Sequence, residues 1–135
     1  MKNLKKFSPL VCVDDDEDDR MLFEDAIQEL FPNLDLRLYE NGINLVDRLI
    51  NDISDLPRLI FLDLNMPVKN GFECLEEIRK NNALRHIPVV VFSTSSSTKD
   101  RERSLQLGAN HFLTKTNSFG AMRTQLSETI KNYLD

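Results

Sequence analysis

The chain has 135 residues and no low-complexity linker, so a single domain spanning 1–135 with no output domain is expected. Hydrophobic residues make up 41% and charged residues 29%, which excludes a disordered chain, and no apolar run approaches the ~18 residues of a membrane span. The net charge of −5 argues against nucleic acid as a direct partner, because phosphate backbones recruit basic surfaces.

The basic start Met1 to Lys6 precedes an apolar stretch, Leu10 to Val13, that stops at Asp14 and is too short for a signal-peptide core. A cytoplasmic protein is therefore expected. The same stretch predicts the first buried strand, and it runs straight into six acids, Asp14 to Asp19. Phe23, Ile27 and Leu30 carry helical spacing and predict the first helix, closed by Pro32. A second strand is expected over Leu34 to Leu38, and after Asn41-Gly42 a second helix on Val46, Leu49, Ile50 and Ile53. Leu59 to Leu62 predicts the third strand, which ends in Asp63. Beyond Pro67, Phe72, Leu75 and Ile78 mark the third helix. Val89 to Phe92 predicts the fourth strand, followed by the hydroxyls of Ser93 and Thr94.

The helix from Thr98 to Leu107 is weak. It offers only Leu105 and Leu107 as anchors and reads as a largely solvated face. Gly108 closes it, and Phe112 to Thr114 predicts a fifth strand ending in Lys115. The last helix has the cleanest spacing, with Phe119, Met122, Leu126, Ile130 and Tyr133 at steps of three and four. Cys12 and Cys74 are isolated and expected to be reduced structural thiols, while His86 and His111 lack metal-ligand spacing.

Five strands alternating with five helices mean an α/β fold with an open parallel sheet covered on both faces. Such sheets bind ligands at the carboxyl ends of their strands. If strands one, three, four and five are neighbours, Asp14, Asp15, Asp63, Ser93, Thr94 and Lys115 share one rim. Acids at a helix start explain Glu17, Asp18 and Asp19 without further function. Asp14 and Asp15 are harder to dismiss, because like charges ~4 Å apart repel by ~4 kcal/mol at an effective dielectric near 20. Clustered hard oxygens without Cys or His suit Mg²⁺ or Mn²⁺. Lys115 then serves as counter-ion and phosphoryl contact, and Ser93 or Thr94 as a hydrogen-bonding hydroxyl.

These residues, taken in order, resemble the response-regulator receiver domains of two-component signalling. The matching features are Val13-Asp14-Asp15, Leu62-Asp63-Leu64-Asn65-Met66-Pro67 with Gly71, Pro88 ahead of Ser93, Gly108-Ala109 and Lys115. The resemblance covers nearly the whole chain. It implies a flavodoxin-like (βα)5 doubly wound fold with strand order 2-1-3-4-5. It implies Asp63 as phospho-acceptor and Asp14 and Asp15 as metal-binding acids, with the backbone carbonyl of Asn65 as a further ligand. Ser93 takes the position of the switching hydroxyl with Thr94 beside it as a candidate phosphoryl contact, Lys115 that of the lysine, and Phe112 the aromatic switch position. The phosphoryl donor is expected to be a sensor histidine kinase or phosphotransfer domain. A downstream protein is expected to read the face formed by helix 4, strand 5 and helix 5. The domain is not expected to be an enzyme beyond promoting its own phosphorylation and dephosphorylation.

Two departures stand out. Thr116 replaces the Pro usual after the lysine, so a cis bond there would cost ~2.5–4 kcal/mol and a trans bond is expected. Thr94 replaces a commonly small Ala. Among other readings, Asp14-x-Asp16 resembles the nucleophile motif of haloacid-dehalogenase-type phosphohydrolases. That family wants Thr or Val where this chain has Asp18, and distal acids of which only Glu128 and Asp135 follow Lys115. A flavin-nucleotide binder shares the fold, but six acids would repel the cofactor's phosphate. A binding module that never gains phosphate is disfavoured because every reactive group is present.

Overall fold

Each short apolar run becomes a strand and each periodic stretch a helix in the computed structural model, which describes residues 9–52 and 56–133. The basic start and Ile53 lie outside these. The order is β1 (Leu10–Val13), α1 (Glu17–Leu30), β2 (Leu36–Tyr39), α2 (Leu45–Asp52), β3 (Leu59–Leu62), α3 (Gly71–Lys80), β4 (Val89–Ser93), α4 (Thr98–Gln106), β5 (His111–Thr114) and α5 (Phe119–Lys131). The strands form one parallel sheet in the order β2-β1-β3-β4-β5.

That order places a topological switch at β1, where the chain leaves toward β2 on one side and returns as β3 on the other. Val13 is in register with Leu62, so the next residues, Asp14 and Asp63, emerge side by side. The Asp63 N–H donates to the Val13 carbonyl at 3.0 Å, extending the ladder into the site.

Alternating strand residues feed two cores. Val11, Val13, Ile60, Leu62, Val89 and Val91 pack with Leu45, Leu49, Leu75, Ile78 and Phe112. Leu10, Cys12, Leu59, Phe61, Val90 and Phe92 pack on the other face with Phe23, Ile27, Met122 and Leu126. The Phe61 ring lies 5.1 Å from that of Phe23 and 6.0 Å from that of Phe92, both edge-on. This aromatic cluster lies under the carboxyl ends of the central strands.

Three details differ from the sequence expectations. β2 begins two residues late, at Leu36, because it is an edge strand with a half-solvated pattern. In α2 the buried positions are Leu45 and Leu49, whereas Ile50 is 40% exposed. On α4 Leu105 is exposed, Leu107 beyond its end is partly buried, and Ser104 is the fully buried residue.

Polar contacts therefore hold α4 where apolar burial is thin. Ser97 caps its first turn, Arg103 stacks 4.1 Å above the Phe72 ring, and Arg101 donates to the Phe112 carbonyl at 3.4 Å. Beyond its end, the Arg79 guanidinium donates to Gly108 O at 2.9 and 2.7 Å, to Ile87 O at 2.8 Å and to Asn110 Oδ1 at 3.0 Å. Gly108 has φ +108, and a Cβ there would meet Arg79 at 2.9 Å, so both conformation and space require glycine.

Cys12 and Cys74 are free and buried, and burial pushes the Cys74 thiol up to about 11. No peptide bond among the described residues is cis, so Lys115–Thr116 is trans.

Candidate functional site

β1 delivers Asp14, which is 4% exposed and held from several sides. Its N–H donates to the Tyr39 carbonyl at 3.0 Å, and its Oδ1 accepts from the Asp16 N–H at 3.0 Å. Its own carbonyl accepts from Arg20 Nη1 at 2.8 Å. Asp15 follows in the open. Asp16 turns away to cap α1, accepting from the Asp19 N–H at 3.0 Å. It is a structural neighbour of the site, which removes the geometric basis for an Asp14-x-Asp16 nucleophile motif.

β3 delivers Asp63, 7% exposed. The turn after it is closed by Gly71 N–H donating to Leu64 O at 2.8 Å. A Cβ on Gly71 would fall 2.3 Å from the Asp63 carbonyl oxygen and 2.8 Å from Leu64 Cα, both backbone atoms. Gly71→Ala is therefore expected to displace the turn that carries Asp63, at a cost of about 1–3 kcal/mol. Urea titration measures the stability loss, and unchanged stability would mean that the turn has slack the geometry does not show.

One carboxylate oxygen each from Asp14, Asp15 and Asp63 lie within 4.8 Å of one another. Lys115, delivered by β5, places its Nζ 2.6 Å from Asp14 Oδ2, 2.9 Å from Asp19 Oδ2 and 3.9 Å from Asp63 Oδ1. Three carboxylates thus surround the Lys115 ammonium and a fourth, Asp15, joins the cluster, leaving the site short of positive charge. Burial, with the fields of Asp14 and Asp15, pushes the Asp63 carboxyl up to about 6 despite Lys115. Burial also raises Asp14. Burial disfavours the Lys115 ammonium, yet its bonds to Asp14 and Asp19 outweigh this and hold it above the usual lysine range. An all-oxygen donor set deficient in positive charge fits a small divalent cation.

β4 ends in Ser93, fully buried, whose hydroxyl accepts from the Ser95 N–H at 3.2 Å and keeps its own proton available. The Ser93 carbonyl accepts from Lys115 N–H at 2.7 Å, binding the two strand ends together. Ser95 Oγ donates to Asp100 Oδ2 on α4 at 2.7 Å. Thr94 and Asn65 are exposed, and Phe112 is buried beneath. The structure thus gathers Asp14, Asp15, Asp63 and Lys115 directly and ends the neighbouring strand in Ser93.

Sequence reasoning missed Asp19 and Asp100. Asp19 had a sufficient local explanation as a helix-start acid, and its position one turn beyond Asp15 was the available signal. His86 and His111 are exposed and belong to no ligand cluster among the described residues.

The sequence model of the response regulator receiver domain matches residues 10–127. Response regulator Rcp1 of Synechocystis sp. is 34% identical over 111 residues, covering 79% of this chain and 76% of that protein. The Probable methanogenesis regulatory protein FilR2 of Methanothrix harundinacea is 38% identical over 98 residues, 73% of this chain; the match covers 56% of that protein. Among solved structures, the phosphorylated cyanobacterial phytochrome response regulator RcpA superposes with a TM-score of 0.86 at 28% identity, over 95% of this chain and 94% of that one. The Mn²⁺-bound form of Rcp1 gives 0.83 at 29% identity, over 96% of each. The fold, the rim chemistry and the family match agree on one reading and give the dehalogenase-type alternative no support. The chain belongs to the response regulator receiver domain family, the phospho-accepting component of phosphorelay signalling.

Proposed function

We propose that Asp63 accepts a phosphoryl group from a phosphohistidine on a sensor kinase or phosphotransfer domain. The observation that carries this is the convergence of Asp14, Asp15 and Asp63 oxygens within 4.8 Å, with Lys115 Nζ 3.9 Å from Asp63. In the reaction the Asp63 carboxylate attacks phosphorus in line; the O–P bond forms as the P–N bond breaks, and the electron pair returns to the imidazole. Bound Mg²⁺ or Mn²⁺, held by Asp14, Asp15, Asp63 and the Asn65 carbonyl, supplies charge neutralisation for the transferring oxygens. Lys115 contacts a second phosphoryl oxygen, and the free Ser93 proton a third. These groups also let the domain promote its own phosphorylation from small donors and its own dephosphorylation.

The output follows from the hydroxyl chain. Turning Ser93 toward phosphate disturbs its bond to Ser95, and Ser95 is bonded to α4 through Asp100. Phe112, in the strand next to β4, fills the space that Ser93 leaves. A partner protein reads the α4-β5-α5 face, and the exchange takes place in the cytoplasm. No helix among the described residues is long and apolar enough to cross a membrane.

Transfer from a phosphorylated histidine donor tests the reading. The expected product is a hydroxylamine-labile phosphate on this chain; a stable label, or none, overturns it. Asp15→Asn is expected to weaken Mg²⁺ binding by about tenfold or more. The wild-type affinity should also fall below pH ~6, where a proton competes for Asp63. The chain lacks Trp, so calorimetry or the melting shift measures both. Equal affinity in the Asp15 variant would remove that residue from the ligand set.

A further inference from the structure

Lys115 has three N–H donors, and two are engaged, by Asp14 Oδ2 at 2.6 Å and Asp19 Oδ2 at 2.9 Å. The third carboxylate, Asp63 Oδ1, lies 3.9 Å away, beyond hydrogen-bonding range. A phosphoryl group on Asp63 would carry its oxygens beyond Oδ1, into reach of an ammonium held in this way. We infer that Asp19 is a positioning residue for phosphoryl transfer, fixing the Lys115 ammonium so that its unused donor serves the group arriving on Asp63. The inference rests on the site reading above.

The two anchors differ in kind. Asp14 belongs to the three-carboxylate cluster and has a divalent cation as a second claimant, whereas Asp19 stands outside that cluster. When a cation draws on Asp14, Asp19 remains the partner that keeps Lys115 in place. Asp19 is itself fixed, its N–H bonded to Asp16 Oδ1 at 3.0 Å in the first turn of α1. An acid serving only the helix start would interact with its own turn. Asp19 instead reaches a lysine 96 positions away in sequence, across a crevice lined by Leu22, Phe92, Thr116 and Met122. The Phe92 ring, 5.7 Å from Nζ, bounds the ammonium from below. Without Asp19 the flexible four-carbon stem regains rotamers that must be lost again in the transition state.

The test is the rate of phosphorylation by acetyl phosphate at saturating Mg²⁺ in wild type, Asp19→Asn and Asp19→Glu. Asp19→Asn is expected to slow the reaction about tenfold and to weaken beryllium trifluoride binding by a similar factor. Its Mg²⁺ affinity is expected to change less than the rate does, since Asp19 is not in the cluster and touches it only through Lys115. Asp19→Glu, which restores the carboxylate, is expected to recover most of the rate. The melting temperature of each variant confirms folding. A wild-type rate in Asp19→Asn overturns the inference and leaves Asp63 as acceptor intact. A loss explained wholly by weaker Mg²⁺ binding, or one that Asp19→Glu does not relieve, also overturns it. A wild-type chain that gains no phosphate on Asp63 overturns both readings.

Discussion

Replacing Asp63 with Asn is expected to abolish phosphate incorporation, by ~100-fold or more, while making the metal-free protein more stable. The first effect follows from loss of the nucleophile, since Asn cannot form the acyl phosphate. The second follows from the cost of holding Asp63 ionised. Burial raises its carboxyl from 3.8 to about 6. A group raised in the folded state binds its proton more tightly there than in the unfolded chain. Its stabilising contribution is complete below pH 3.8 and is lost as pH climbs through about 6. Two pKa units correspond to ~3 kcal/mol with the attraction of Lys115 already included, an upper bound because the Asn amide does not reproduce the hydrogen bonding of a neutral carboxyl. A gain of about 1–2 kcal/mol at pH 7.5 in EDTA is expected, shrinking toward zero near pH 4. Mg²⁺ should stabilise the wild type and leave the variant almost unmoved. Labelling by intact mass and urea titrations at the two pH values check these outcomes. A variant that labels normally would remove Asp63 from its role. One that is less stable at pH 7.5 would mean that Lys115 outweighs burial.

Phe61→Ala is expected to cost about 3–5 kcal/mol, the usual range for deleting a fully buried aromatic. Phe61 has no exposure, and it meets Phe23 and Phe92 edge-on. The loss would be a large fraction of the stability of a domain this size. The void opens two residues before Asp63 and against Phe92, the residue before Ser93. Mg²⁺ affinity is therefore expected to fall along with the urea midpoint. If affinity holds while stability falls, the strand ends are braced by their backbone ladder alone.

The residues most legible in sequence were those whose place follows from strand ends. A branched apolar run ending in an acid or lysine fixes where the chemical group emerges, and a parallel sheet brings such ends together. That pattern alone put Asp14, Asp63 and Lys115 at strand ends. The strand order was different, because periodicity does not specify neighbours, and it came only from the family resemblance. Asp19 was invisible because its partner is a tertiary contact, while a local role already explained it. The exposed Ile50 reflects a smaller difficulty. Helical spacing placed Val46 and Leu49 against the core as found, but Leu45 rather than Ile50 completes the buried stripe. α4 was legible as weak, yet its actual supports are guanidinium and hydroxyl contacts that no apolar pattern announces.

The Arg79 guanidinium gives that helix an asymmetric mounting. Its bonds reach Gly108 and Asn110, just past the tail of α4. The head is tied to the loop after β4 through Ser95 Oγ, which bonds Asp100 and the Ser97 N–H, and to β5 by the longer Arg101 bond to the Phe112 carbonyl. A rod hinged at one end and latched at the other swings on release. The largest excursion then falls near Thr98, and a listener at the opposite end, near Leu107, would register rotation with little translation.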